Sequence, residues 1–374
     1  MTAGLLSAIL AGRVAADTLA PRAWEQLLAE ARKSMLIARL GHQASEQGWY
    51  ERIPPRPERH LEAARRDCAW QLDGVRWEVG CIEHALAGVG TPIVLLKGAA
   101  YVMAGLPVGA GRFFSDIDIM VRRDRLLEVE QTLVAHGWYS NTASAYDQKY
   151  YRQWMHEIPP LQHVRRLTVI DVHHTIAPPT SKTPVDAEKL FAAARPVAGL
   201  RNFFVLAPAD MLLHSAVHLM QEGEFEHGLR DVVDLDALFR DFGRDAGFWR
   251  ALIDRTAEHG LGRPLYYAVQ QTRRLLDTPM PEAFLRAVDD FAPGVVVRGL
   301  MGALLEAALT VGSAREVGAR VAVSRSLLYL RGHYLRMPLW LLIPHLLRKA
   351  SHRLGALGRG AESLPMGGQR TGAN

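Results

Sequence analysis

Leu27, Leu28, Ala31, Met35, Leu36 and Leu40 follow one another at spacings of one, three and four, which places them on one face of a helix. The cluster Ile53-Pro54-Pro55-Arg56-Pro57 interrupts that pattern. A second long helical pattern is expected from about Glu58 to Ala87, stopped near Gly88 and Gly90. At Thr91 the character changes. Pro92-Ile93-Val94-Leu95-Leu96 is a short apolar, β-branched run between turn residues and predicts a buried strand. Lys97-Gly98 leads into a helical patch, Ala99 to Leu106, followed by a Gly/Pro-rich loop from Pro107 to Arg112. Asp116-Ile117-Asp118-Ile119-Met120-Val121 then alternates polar and apolar with period two, so it reads as a strand with both carboxylates on one face.

A helix is expected over 123–136, stopped by Gly137, and another strand over Leu167-Thr168-Val169-Ile170-Asp171-Val172-His173. From Pro208 onward the spacing returns to helices, near 208–222, 227–242, 246–259, 263–277, 281–291 and 294–310. The expected fold class is α+β, a small mixed sheet with helical regions on either side. The expected division is a helical region over 1–90, a catalytic domain over 91–205, a helical domain over 206–330 and a basic tail over 331–374.

Composition narrows the classes. Of 374 residues, 49% are hydrophobic and 22% charged, which fits a globular chain of two or three modules and excludes disorder, collagen-like repeats and disulfide scaffolds. The two cysteines, Cys68 and Cys81, are too few for a secreted framework, so a reducing, cytoplasmic setting is expected. The net charge of +5 is unevenly spread. Residues 325–374 carry eight basic side chains against Glu362 alone, and the rest of the chain is slightly acidic. A nucleic-acid-binding body is therefore not the default reading. The apolar N-terminal stretch lacks a preceding basic region and reads as a helix, and no apolar run reaches eighteen residues. In the tail, Met337 to Leu347 is apolar, interrupted by Pro338 and Pro344, and flanked by Arg331, Arg336, Arg348, Lys349 and Arg353. Over 331–353 this suits either peripheral contact with an anionic membrane or docking of the apolar side on the 208–310 helices. Glu362 to Asn374 are expected to be disordered.

The candidate chemistry lies in the carboxylates. Asp116 and Asp118, two apart on a strand, leave the same face about 7 Å apart, within reach of a shared divalent cation. Asp171 is a third carboxylate in an apolar strand, and three on adjacent strands can hold two ions for in-line phosphoryl or nucleotidyl displacement. Upstream, Lys97-Gly98 opens a helix where phosphates can sit, and Arg112 and Ser115 lie just before the aspartates. Together, Leu96-Lys97-Gly98-Ala99-Ala100, Arg112, Ser115-Asp116-Ile117-Asp118-Ile119-Met120-Val121 and Ile170-Asp171-Val172-His173-His174 resemble the uncharacterised nucleotidyltransferase family of the polymerase-β-like superfamily. The resemblance spans roughly 90–260. It implies that Asp116, Asp118 and Asp171 are catalytic and bind Mg²⁺ or Mn²⁺. It also implies that Lys97 and Gly98 belong to the phosphate loop, and that an NTP such as ATP gives its nucleoside monophosphate to an unidentified acceptor. Ala99 stands where a serine often follows the glycine, and the stretch from Gly98 to Asp116 is longer than in minimal enzymes.

An Asp-x-Asp glycosyltransferase using a sugar nucleotide would need an α/β nucleotide-binding unit before the motif, where this chain reads as helical. A catalytically silent nucleotide-binding or regulatory module would keep the fold. His214 and His218, i and i+4 on a helix, have zinc-pair spacing but no third ligand, and read as interface residues. The stretch from His218 through Arg230, Asp231 and Asp234 resembles the family's helical part, with a supporting role near the nucleotide. Alternation puts His173 on the face of Asp171 and His174 on the other. His156 and Glu157, before Pro159-Pro160, read as loop or strand-start residues.

Overall fold

The computed structural model describes residues 4–140, 144–221, 223–311 and 318–344. Four helices precede the first strand: α1 (Leu5–Leu10), α2 (Pro21–Lys33), α3 (Ile37–Glu46) and α4 (Pro55–Leu86). α4 starts three residues earlier than the proline cluster suggested. A proline in the first turn removes only an N–H that has no helical partner anyway, so Pro55 opens the helix rather than preventing it. Along α4, Leu61, Ala64, Cys68, Val75, Val79 and Ile82 are buried, a stripe of three-, four- and seven-residue steps that packs on α3 and on two helices of the next layer.

Those two helices, α5 (Lys97–Met103) and α6 (Leu126–Ala135), belong to a mixed seven-stranded sheet. Its strands are β1 (Ile93–Leu95), β2 (Ile117–Met120), β3 (Trp138–Ser140), β4 (Leu161–His163), β5 (Val169–His173), β6 (Arg195–Pro196) and β7 (Phe203–Val205). They lie in the order β3-β4-β5-β2-β1-β7-β6, with β2–β5 and β1–β7 parallel and the other neighbours antiparallel. β1 and β2 are buried along their whole length, as their position in the middle of the sheet requires. Two further helices, α7 (Ala145–Trp154) and α8 (Ala187–Ala193), lie in the connections from β3 to β4 and from β5 to β6.

Among the described residues the C-terminal region holds the helices α9 (Pro208–Gln221), α10 (Gly228–Phe242), α11 (Ala246–His259), α12 (Gly262–Leu276), α13 (Glu282–Asp289), α14 (Val295–Ala308) and α15 (Ala319–Arg336). The chain is thus α+β, a mixed sheet between helical N- and C-terminal regions. α9 is the keystone. Nearly every residue from Ala209 to Gln221 is buried, because the helix touches α5 on the sheet side and α10, α11, α12 and α15 on the other. Its Asp210 carries a charge into that interior and is held there by both Nε and Nη2 of Arg255, at 2.8 and 2.7 Å.

Beyond α15 the chain turns onto α7 rather than onto the 208–310 helices. Met337, Leu341 and Leu342 form a small cluster with Tyr150 and Met155. Leu339, Trp340 and Ile343 face outward. Residues 345–374, including Leu346 and the stretch expected to be disordered, lie outside the described residues.

Candidate active site

β2 and β5 run parallel and in register, Ile117 opposite Ile170, Asp118 opposite Asp171, Ile119 opposite Val172 and Met120 opposite His173. Side chains alternate along each strand, so Ile117, Ile119, Ile170 and Val172 fill the core on one side while Asp118, Asp171 and His173 share the other. Neighbouring strands are about 4.8 Å apart, which places the two carboxylates side by side. Asp116 lies one residue ahead of β2, more exposed, where its Oδ1 accepts a 2.9 Å hydrogen bond from the Ser115 hydroxyl.

The two paired carboxylates have opposite environments. Asp118 is buried, and its Oδ1 accepts from the Lys97 ammonium at 3.3 Å and from Nε2 of His173 at 3.0 Å. Burial by itself would push its carboxyl up, but the Lys97 charge and the His173 hydrogen bond together outweigh it and hold Asp118 well below the usual carboxylate range. Asp171 has no such help. Burial, then the negative charges of Asp118 and Glu157, push its carboxyl up to about 7, and its Oδ1 is buried without a hydrogen-bond partner. A buried acceptor left in this way costs on the order of 1–3 kcal/mol. A divalent cation would relieve that cost, so the donors at Asp116, Asp118 and Asp171 fit the ion that the resemblance implies.

Lys97 reaches Asp118 from the first residue of α5, with φ of 43°, a left-handed backbone that few non-glycine residues adopt. The next residue must be small. A Cβ on Gly98 would come within 2.6 Å of the Phe114 ring and 2.8 Å of an Arg112 guanidinium nitrogen. Arg112, expected at the phosphates, is committed elsewhere in this structure. It is nearly buried, its Nε donates to Asp234 on α10 at 2.7 Å, and its guanidinium lies over the rings of Phe114 and Tyr101. The ion pair ties the loop before β2 to the helical region, and Asp234, singled out in the sequence, is its other half.

The structure brings in residues the sequence pattern did not. The segment after α7 pairs with the end of β5: Glu157 bridges to His173, Ile158 N–H donates to Val172 O, and His174 N–H donates to His156 O. This sets Glu157 Oε2 3.5 Å from His173 Nδ1 and brings the His156 ring, tilted by 37°, to 5.2 Å from that of His173. Burial opposes a charge on His173, but the Asp118 hydrogen bond and Glu157 overcome it and raise its pKa. His214 of α9 is buried nearby. Burial, then the charges of Lys97 and His173, hold its pKa well down, so it stays neutral. On the Asp116 side a groove of about 310 Å³ runs between α4 and the strand ends, lined by Trp70, Gly74, Trp77, Phe114, Ser115 and Asp116 among others.

Carboxylates on two parallel neighbouring strands are a donor set able to hold divalent ions. The chain matches the model of the family described as uncharacterised nucleotidyltransferase over residues 20–277, and it belongs to that family. No curated protein and no solved structure matches it significantly.

Proposed function

We propose that this chain is a metal-dependent nucleotidyltransferase that moves a nucleoside monophosphate from an NTP, ATP being the first to test, to an acceptor. The observation that carries the reading is the register pair Asp118–Asp171, with Asp116 beside it and Asp171 Oδ1 left without a donor. Asp116, Asp118 and Asp171 would hold Mg²⁺ or Mn²⁺. When bound, such ions neutralise the phosphates and lower the pKa of the attacking group. The acceptor oxygen attacks the α-phosphorus, the bond to the β-phosphate oxygen breaks, and pyrophosphate leaves, while Asp171 is placed to take the acceptor's proton. Lys97, the Gly98 backbone and Ser115 contact phosphate oxygens. Arg112 contributes by packing over Gly98 and, through Asp234, fixing the loop that carries Asp116. The groove between Trp70 and Asp116 is the path for the acceptor, because it reaches Asp116 without including Lys97 or Gly98.

Thermal shift of the full chain with each NTP and with a UDP-sugar, with and without Mg²⁺ or Mn²⁺, tests this. Stabilisation that requires NTP and metal together supports it. Stabilisation by the UDP-sugar alone would favour glycosyl transfer, against which the helical 5–86 region already speaks.

A second reading concerns the partner surface. Among the described residues no helix is long and apolar enough to cross a membrane. Leu339, Trp340 and Ile343 are nevertheless exposed, as are Val323, Leu327, Leu330 and Tyr334 on α15. We propose that these exposed side chains rest peripherally on the cytoplasmic face of an anionic membrane, with the basic residues that follow Arg331 in the sequence, since Arg331 itself donates to Met220 O.

A further inference from the structure

The clustering of His156, Glu157 and His173 serves no step of nucleotidyl transfer. One ligand atom from each, two imidazole nitrogens and a carboxylate oxygen, lie within 4.8 Å of one another. We propose that they form a second metal site, a two-histidine, one-carboxylate set for a single transition-metal ion of the Zn²⁺ or Co²⁺ kind, separate from the carboxylate site for Mg²⁺.

Three features argue for it. The backbone is fixed: Glu157 and His173 are bridge partners, and the flanking hydrogen bonds from Ile158 to Val172 and from His174 to His156 are 3.0 and 2.8 Å long. The ligands therefore sit on β5 and on a segment bridged to it by backbone hydrogen bonds. The second feature is the orientation of His173. Its Nε2 carries the proton and donates to Asp118, while Nδ1 has no hydrogen bond and faces Glu157. A histidine that ligates through one nitrogen ordinarily donates its other N–H to a carboxylate, which fixes the tautomer and raises its basicity. Asp118 fills that place here. The third is the donor chemistry. Metal bonds of about 2.0–2.2 Å bring ligand atoms to roughly 3–4 Å from one another, so the cluster needs to tighten by about 1 Å. Imidazole nitrogens favour zinc-like ions, whereas Mg²⁺ prefers oxygen ligands and keeps its waters. Glu157 is partly exposed while His156 and His173 are buried, which gives the ion one way in.

The competing arrangement holds no ion: His173 as an imidazolium between Asp118 and Glu157. The two differ in what cobalt does. The full chain, stripped with a chelator and kept in excess Mg²⁺ to fill the carboxylate site, is titrated with Co²⁺ and followed by its visible absorption. One equivalent is expected to bind and to give ligand-field bands. X-ray absorption of the zinc-loaded wild type is expected to show imidazole scattering from two histidines. Glu157→Gln, nearly isosteric, and His156→Ala are each expected to weaken Co²⁺ by at least roughly tenfold. Asp116→Asn is expected to keep the cobalt spectrum while losing the stabilisation by NTP and Mg²⁺, which separates this inference from the proposed activity. No cobalt binding in Mg²⁺, no histidine scattering, unchanged affinity in both His156→Ala and Glu157→Gln, or loss of the spectrum in Asp116→Asn would each overturn it.

Discussion

The β2 and β5 halves of the site solve the same problem in opposite ways. β2 carries its aspartate into a buried position and β5 holds one half-buried with its Oδ1 turned inward, and the two residues are register partners. On β2, Lys97 and His173 both donate to Asp118, so its charge is part of the folded structure. On β5, burial and the charges of Asp118 and Glu157 outweigh the opposing pull of His173, so the charge of Asp171 is opposed by the fold. One carboxylate is a structural anion; the other has its charge opposed by its surroundings. Folding alone would not keep the second, since an asparagine or a threonine would fit more cheaply there.

That contrast is broken most severely by Asp118→Asn. Nucleotidyl transfer is expected to fall on the order of 10³-fold or more, from loss of the several kcal/mol that metal-borne charge stabilisation contributes. Stability is expected to fall too. Relief of repulsion at Asp171 would act the other way, but Lys97 and His173 would lose their shared acceptor, and stripping one partner from a buried pair costs about 3–5 kcal/mol. Differential scanning calorimetry of the metal-free protein checks this, and a raised Tm would mean that repulsion dominates the β2 half as well.

A similar but smaller loss is expected for Asp234→Asn, about 3 kcal/mol, because Arg112 would be left buried without its carboxylate. NTP stabilisation is expected to weaken with it, as Phe114 and Arg112 no longer hold the loop against Gly98. Denaturant titration with and without NTP and Mg²⁺ measures both.

Asp171→Asn is expected to do the reverse. Because the folded pKa, about 7, lies above the ordinary 3.8, the favourable contribution of this group is complete below about pH 4 and is lost as pH rises through 7. Metal-free Asp171→Asn is therefore expected to be more stable than wild type by roughly 2–3 kcal/mol at pH 8, with the gain vanishing toward pH 4. A gain that is constant with pH, or a loss, would show that Asp171 is not the strained member of the pair.

How much of this the sequence carries follows from the range of each interaction. The period-two run from Asp116 to Val121 located β2, and the apolar setting of Asp171 located β5, because both patterns are local. Alternation likewise put His173 on the face of Asp171, where it stands. The three-residue strands β3, β4 and β7 and the two-residue β6 left no such trace, since strands so short are defined by their partners. Glu157 was hidden for the same reason: its place beside His173 depends on a bridge across sixteen positions of chain, formed after α7 turns the backbone back. The Arg112–Asp234 pair spans 122 positions and joins two regions that local patterns treat separately. The family match begins at residue 20, well ahead of the sheet, and so takes in most of the N-terminal helices that a motif-based reading left as a flank.

The smallest effect on stability is expected at the exposed apolar side chains around Trp340. Leu339→Ser with Trp340→Ser removes exposed apolar surface and is expected to change stability by no more than about 0.5 kcal/mol. Binding to anionic liposomes in a flotation assay is expected to be lost nonetheless, and binding by the double variant equal to wild type would remove these side chains from the account.

The central claim, that these carboxylates hold a metal ion together with a nucleotide, is tested most directly by calorimetric titration of ATP into wild type and Asp171→Asn in the presence and absence of Mg²⁺. The account predicts that wild type binds ATP tightly only with Mg²⁺ and that Asp171→Asn, though folded and stabler, loses that metal-dependent gain. Equal ATP affinity with and without Mg²⁺, or an Asp171→Asn variant that keeps the full metal-dependent gain, would contradict it.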